Sequence, residues 1–419
     1  MKSGIVGEKN PFRHINFYQI ALFLFLFTLP LENRYSNIGL ILLTAAWILQ
    51  FERQTVLSSF KKFAYIFLIL NLIWFLIGLI FSFQEFFWDY MEKVGKYFLL
   101  VLLPLLMIPA KNLNRRQLAF SFSGFVISMV LILLISYANA AGQYQAGIEN
   151  PFNYSVFVSK GGDFHPAYIS MFVVCAFFLC LEGLQIFKSL GARIVITAIL
   201  ILFFLSVFVI QARTAILAMA ILIPIYALLA INKRRAFYAR LVLVISVFVI
   251  GTILVFKVGN TPFLLMKERV VNGFTNSLSI RIETWKCALE VFTSNSWIIG
   301  VGSGNEHLAL KECYYNNFLT RQYFDNYNTH NDFLHILLRN GIIGLLLWIG
   351  FLGTMLIRNY QVKNHIGIIF VLLFCISGLT ENLLSRIWGI LFIGTGIGFC
   401  LLSYFNDARF ISGSKRITE

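Results

Sequence analysis

The chain has 419 residues, 58% of them hydrophobic and 13% charged, with a mean hydropathy of +0.78. Soluble domains carry about 25% charged residues, so a soluble globular protein is excluded and most of the chain is expected in lipid. The net charge of +15 would suit a nucleic-acid binder, but the basic residues fall in short clusters between apolar runs, the pattern of a polytopic membrane protein with no nucleic-acid partner.

A crossing helix needs about 20 mostly apolar residues, and about twelve segments meet that description. They lie near 14–32, 37–51, 63–83, 94–110, 117–138, 166–187, 193–211, 214–231, 240–257, 333–357, 364–380 and 384–405. The second is short and the seventh and eighth nearly abut, so eleven spans or a re-entrant element also fit. The first apolar run has a basic flank but no small-residue cleavage site, and reads as an uncleaved span. Pro104 and Pro224 fall inside spans and are expected to kink them, which packed bundles tolerate.

Basic residues set the orientation. With the N-terminus cytoplasmic, that side collects clusters such as Arg53, Lys61 and Lys62; Lys111, Arg115 and Arg116; and Lys233, Arg234 and Arg235. The short loops of the other side hold few, so both termini are expected to face the cytoplasm. The fold class is therefore all-α, a polytopic membrane protein in three parts. An N-terminal bundle covers 1–257, a large outer loop with short amphipathic helices covers 258–332, and a C-terminal group of about three spans covers 333–419.

The outer side carries the unusual polar residues. A loop at about 139–165, rich in Gly and Asn, precedes the sixth span, with His165 just before Pro166. Arg213, in VIQARTAIL, stands between two apolar segments; a charge near lipid is costly, so it is either a snorkelling span-end residue or a functional one. Arg281 begins an amphipathic helix expected to place Ile282, Trp285, Leu289 and Phe292 on one face. The turn GVGSGN that follows offers backbone donors for an anion, although no Walker lysine follows it.

His330 stands where the polar loop meets an apolar segment, followed by Asn331 and Asp332, either of which suits a helix N-cap. An imidazole titrating near neutrality can serve there as a proton acceptor, or it can be a structural helix-end residue. His335 lies five residues on and is expected to face another helix. Glu381, Asn382 and Arg386 cluster between the last two spans, where Glu381 and Arg386 either lock together or line the same outward cavity. His330, Asp332 and His335 do not form a recognised metal set, so no metal is expected. Of the six cysteines, Cys287 and Cys313 flank the polar stretch and can pair if that side is oxidising; spacing alone does not establish proximity.

Four motifs in this order, Q-A-R-T around Arg213, R-x-x-x-W-x-x-A-L from Arg281, G-V-G-S-G-N, and H-N-D-F-L followed by N-G-I-I-G, resemble the O-antigen ligase and polymerase superfamily. The resemblance is strongest from about 200 to 400. It implies a GT-C-type membrane glycosyltransferase, free of metal and cofactor, in the bacterial inner membrane with its site facing the periplasm. Its donor would be a polyprenyl-diphosphate-linked oligosaccharide and its acceptor a glycolipid, lipid A-core, or another glycan. By position, Arg213 and Arg281 match the family arginines that hold the diphosphate, and His330 matches the proposed base. Asn331, His165, Glu381, Arg386 and Arg339 are supporting candidates. Arg339 departs from the pattern, since the family often carries glutamate there.

A polymerase and a protein O-oligosaccharyltransferase share the donor half of such a site. One dominant late outer loop favours a ligase, and the 139–165 loop tempers that preference. A polysaccharide transporter would place its charges near the midplane within internal repeats, and none are evident. A non-catalytic scaffold would leave the two isolated arginines and the boundary histidine without a role.

Overall fold

The computed structural model describes residues 16–60, 62–80, 87–147, 166–230 and 279–404. All regular elements there are helical. In chain order they are α1 (Phe17–Thr28), α2 (Asn33–Leu49), α3 (Arg53–Phe60), α4 (Phe63–Leu79), α5 (Phe87–Leu106), α6 (Arg115–Gln145), α7 (Pro166–Ile186), α8 (Leu190–Ile210), α9 (Arg213–Ala230), α10 (279–293), α11 (Glu306–Asn316), α12 (Thr320–Phe324), α13 (Asp332–Gln361), α14 (His365–Gly378) and α15 (Ile387–Leu401). Every expected apolar segment coincides with a helix except 240–257, which lies outside the described residues together with His165.

The helices are less uniform than twelve equal spans. Among the described residues seven are long and apolar enough to cross a membrane, or eight if α3 and α4 form one broken span. α1 and α14 are apolar but short, with 12 and 14 residues, whereas α6 and α13 run for 31 and 30. At 1.5 Å per residue the long pair reaches roughly 45 Å, well beyond a hydrocarbon core of about 30 Å. α6 therefore takes up the first residues of the loop expected at 139, and its start is fixed by a capping box between Asn114 and Gln117.

α15 is the central helix, its residues almost all buried. Its glycines let neighbours approach: a Cβ on Gly396 would fall inside the Phe370 ring. Phe125, Phe172 and Phe370 gather around Phe392 with ring centroids 4.8 to 6.0 Å away. α5 packs along α15, α1 lies on α6 and α2, α7 on α8, and α13 between α4 and α14.

Beyond the bundle, α10 to α12 form a small cap with its own core of Cys287, Ala288, Val291, Leu310, Cys313, Tyr314 and Leu338. Cys287 and Cys313 are joined by a disulfide. The buried face of α10 is only partly the expected one, on which Phe292 packs against the cap core and Trp285 is half-buried. Thr284, Cys287, Ala288 and Val291 are the buried positions, while Ile282 and Leu289 are 40% and 48% exposed. Both sets have helical spacing, so the pattern alone did not choose between them. Replacing both cysteines by serine is expected to loosen the cap by about 3 kcal/mol, read as faster amide exchange across 279–330 with the bundle unchanged. Exchange at the parent rate would show that packing alone holds the cap.

The cap grips a break in α13. Gly341 has φ +66° and ψ −169°, which interrupts the helix and exposes carbonyls to the GVGSGN turn. Val301 N–H donates to Leu338 O at 3.0 Å, Gly302 N–H to Arg339 O at 3.1 Å, and Ile342 N–H to Trp297 O at 2.8 Å. Ser303 bridges to α4, its N–H donating to Gly78 O and its hydroxyl to Phe75 O. Gly304 N–H donates to Glu306. The turn is thus a structural clasp, and these amides are not available to an anion as the sequence had suggested.

Candidate functional site at one end of the bundle

Four segments far apart in sequence meet at one end of the bundle: the α8–α9 junction, the start of α10, the residues before α13 and the α14–α15 loop. At the first, Gln211 adopts φ +57° and ends α8, and Arg213 opens α9 just after it. The next residue, Thr214, hydrogen-bonds through its hydroxyl to that of Thr380 at 2.7 Å. This contact pins the Arg213 end of α9 against the loop that carries Glu381.

Glu381 is the hub. One carboxylate oxygen accepts from the Arg281 guanidinium at 3.0 Å, and the other lies 3.4 Å from His330 Nδ1. The Glu381, Arg281 and His330 side chains keep 14%, 27% and 29% of their surface, respectively, so they are sheltered yet reachable. Of the two readings of Glu381 and Arg386, the lock is not the one found: Arg386 is exposed at the start of α15, and Glu381 pairs with Arg281 and His330. The correction has a physical cause. Arg386 closes a 3-10 turn (Leu383–Ser385) with extended backbone, which turns it away from the loop it ends.

The His330 backbone is held in the left-handed region, φ +45°, uncommon for a residue other than glycine. Its neighbours enforce this. His330 N–H donates to Asn328 Oδ1 at 2.9 Å, Asn331 N–H donates to Asn382 Oδ1 at 3.0 Å, and the Trp285 indole donates to Thr329 O at 2.8 Å. The Tyr327 ring stands edge-on to the imidazole, 5.7 Å between centroids. Asn331 caps α13 by accepting from Leu334 N–H. Asp332 is buried and accepts from Leu383 and Leu384 N–H, both at 3.1 Å, which ties the Glu381 loop to the base of α13. Its carboxylate is structural.

Two further candidates lie deeper. Arg339 is 4% exposed, its guanidinium stacked between the Phe75 and Tyr97 rings at 4.9 and 4.5 Å and hydrogen-bonded to Asn340 at 2.7 Å. It holds the broken helix and is not part of the Glu381 cluster. His335 does face another helix, its Nε2 3.8 Å from buried Glu306 of α11. Cys287, Glu290 and Cys313 are the one grouping with metal-ligand spacing among the described residues, and the disulfide leaves no thiolate there.

Among the described residues, Arg281 and His330 share the Glu381 carboxylate at this end, and Arg213 and Arg386 open the neighbouring helices α9 and α15. A guanidinium can bind phosphate oxygens bidentately, and an imidazole can take up a proton. The partners of Glu381 were not readable beforehand, because Arg281 lies 100 residues away and His330 51.

The fold and this site define an integral helical membrane protein with a basic, histidine-bearing cluster at one end of its bundle. Residues 198–349 match the family model described as O-antigen ligase, a match that supports membership of the O-antigen ligase and polymerase superfamily. The matched stretch includes Arg213, Arg281, His330 and Arg339 and ends before Glu381. No curated protein matches the chain.

Proposed function

We propose that the protein is an O-antigen ligase-type glycosyltransferase, moving a glycan from a polyprenyl-diphosphate carrier to a sugar hydroxyl, with lipid A-core the leading acceptor. The observation that carries this reading is the single carboxylate of Glu381 shared by Arg281 and His330. A glycosyl diphosphate arrives with its leaving group activated. The protein then has two tasks, to take a proton from the acceptor hydroxyl and to balance charge on the departing diphosphate.

His330 suits the first. With Nδ1–H directed at Glu381, Nε2 is the lone-pair nitrogen that takes the proton, and the carboxylate stabilises the imidazolium that results. The acceptor oxygen bonds to the anomeric carbon from the face opposite the diphosphate, the C–O bond to phosphate breaks, and the electron pair leaves on the polyprenyl diphosphate. The anomeric configuration inverts. Arg213 and Arg281 suit the second task, since a guanidinium keeps further N–H donors when one is engaged by a carboxylate. The disulfide supports an oxidising, periplasmic location for this end, and hence cytoplasmic termini.

The test is reconstituted transfer from a polyprenyl-diphosphate oligosaccharide to lipid A-core, to a second lipid-linked oligosaccharide, or to a peptide. Arg213→Ala and Arg281→Ala are each expected to insert normally and lose about 10²–10³-fold in rate, the usual effect of removing one charge-stabilising donor. Full activity in both would remove the diphosphate clamp. Chain extension in place of lipid A-core transfer would make the protein a polymerase with the same donor site.

A further inference from the structure

The opposite end of the bundle holds a second polar cluster that glycan transfer does not use. Lys363 follows the C-terminus of α13, roughly 45 Å along that helix from His330. Here the ends of α6, α7 and α8 and the α13–α14 turn enclose a cavity of about 140 Å³. Phe122, Val126, Leu179, Ile186, Ile196 and Phe399 make its apolar wall, and Arg115, Glu182, Lys363 and His365 stand on its lining.

The charges around it are unevenly matched. Glu182 is engaged on both oxygens, one by Arg115 and the other by the Tyr226 hydroxyl at 2.9 Å, which in turn accepts from Gln185. Arg115 has further N–H donors that no described residue takes. The Lys363 ammonium makes no hydrogen bond or ion pair among the described residues, and the residue is exposed with φ +54°, where glycine is the cheaper choice. Two cations and a histidine thus surround one satisfied carboxylate at the mouth of an apolar slot. Basic pockets between membrane helices that adjoin apolar walls recognise lipid phosphates.

We infer that this cavity binds an anionic phospholipid of the bilayer, its phosphate on Arg115 and Lys363 and the upper part of one acyl chain against the apolar wall. The site is separate from the Glu381 cluster and does not depend on the transferase reading. The test uses full-length protein in detergent, incubated with phosphatidylglycerol or phosphatidylcholine of identical chains, with bound lipid counted by native mass spectrometry. Phosphatidylglycerol is expected to be retained about fivefold better, the preference that one basic residue near a lipid phosphate supplies.

Lys363→Gly removes the ammonium while suiting the local φ, and Ala119→Trp fills the slot without changing charge. Each is expected to abolish the preference, while Arg115 is left in place because Glu182 depends on it. Equal retention of the two lipids, or a preference unchanged in both variants, overturns the site. Displacement of the lipid by inorganic phosphate alone would also overturn it, since the acyl chain would then contribute nothing.

Discussion

Glu381→Gln is expected to lower glycan transfer by about 10²–10⁴-fold in kcat, with insertion and melting temperature close to the parent. The amide oxygen can still accept from Arg281, so the ion pair becomes a neutral hydrogen bond and the loop keeps its place. The amide nitrogen cannot accept a proton from His330 Nδ1. The imidazole then gains by turning its lone pair toward the introduced amide N–H, which leaves the proton on Nε2, where the acceptor hydroxyl needs a base. The imidazolium also loses its counter-charge. A rate within twofold to threefold of the parent would sink the dyad and return Glu381 to a structural role as the partner of Arg281. His330→Ala measured beside it separates the cases: if Glu381 acts only through His330, the double variant is no slower than His330→Ala alone.

Gly341→Ala is expected to be the most damaging single substitution to the fold. At φ +66° and ψ −169° the position is one that essentially glycine alone adopts, and any side chain there costs about 1–3 kcal/mol in backbone strain. A Cβ would also stand 2.2 Å from the carbonyl oxygen of Ile298, so the 296–305 clasp must move. Its three hydrogen bonds to α13 are at risk, each worth about 1 kcal/mol, more where a buried group is left unpaired. The expected result is a protein that does not accumulate, or one whose cap from 279 to 330 is cleaved by protease while α1 to α9 survive. A variant with parental melting temperature and an intact cap would show that the break in α13 is not needed. Gly300, whose Cβ would meet Leu338 O at 2.3 Å with φ +67°, is the matching position on the clasp and should behave alike.

Much of the bundle was legible because lipid imposes a simple rule: backbone groups must pair within the segment, so an apolar run becomes a helix. Helix positions followed from that rule, whereas Cys287 and Cys313 were pairing candidates only because both flank the polar stretch. Helix length was less legible. The polar tail of α6 from Tyr137 to Gln145 remains helical although its composition reads as loop, because local helix bonds do not require an apolar side chain. The face of α10 was half legible, since two stripes of the same helical period overlap: Trp285 and Phe292 are partly buried, while Ile282 and Leu289 are exposed and Cys287 and Ala288 lie inside.

The class of protein and the kinds of side chain at the candidate site are written in the order of residues: Arg213, His330 and Glu381 stand beside apolar segments, and Arg281 opens an amphipathic helix. Which of them meet is a property of the packed helices. Glu381 faces Arg281 and His330 and not its neighbour Arg386, Arg339 lies between two aromatic rings, and the glycine turn clasps a broken helix and holds no anion. The physical reason is range. Hydropathy and helix signals act within a few residues and are written in local order, whereas an ion pair across 100 residues forms only where packing brings the start of α10 and the α14–α15 loop to within 3.0 Å.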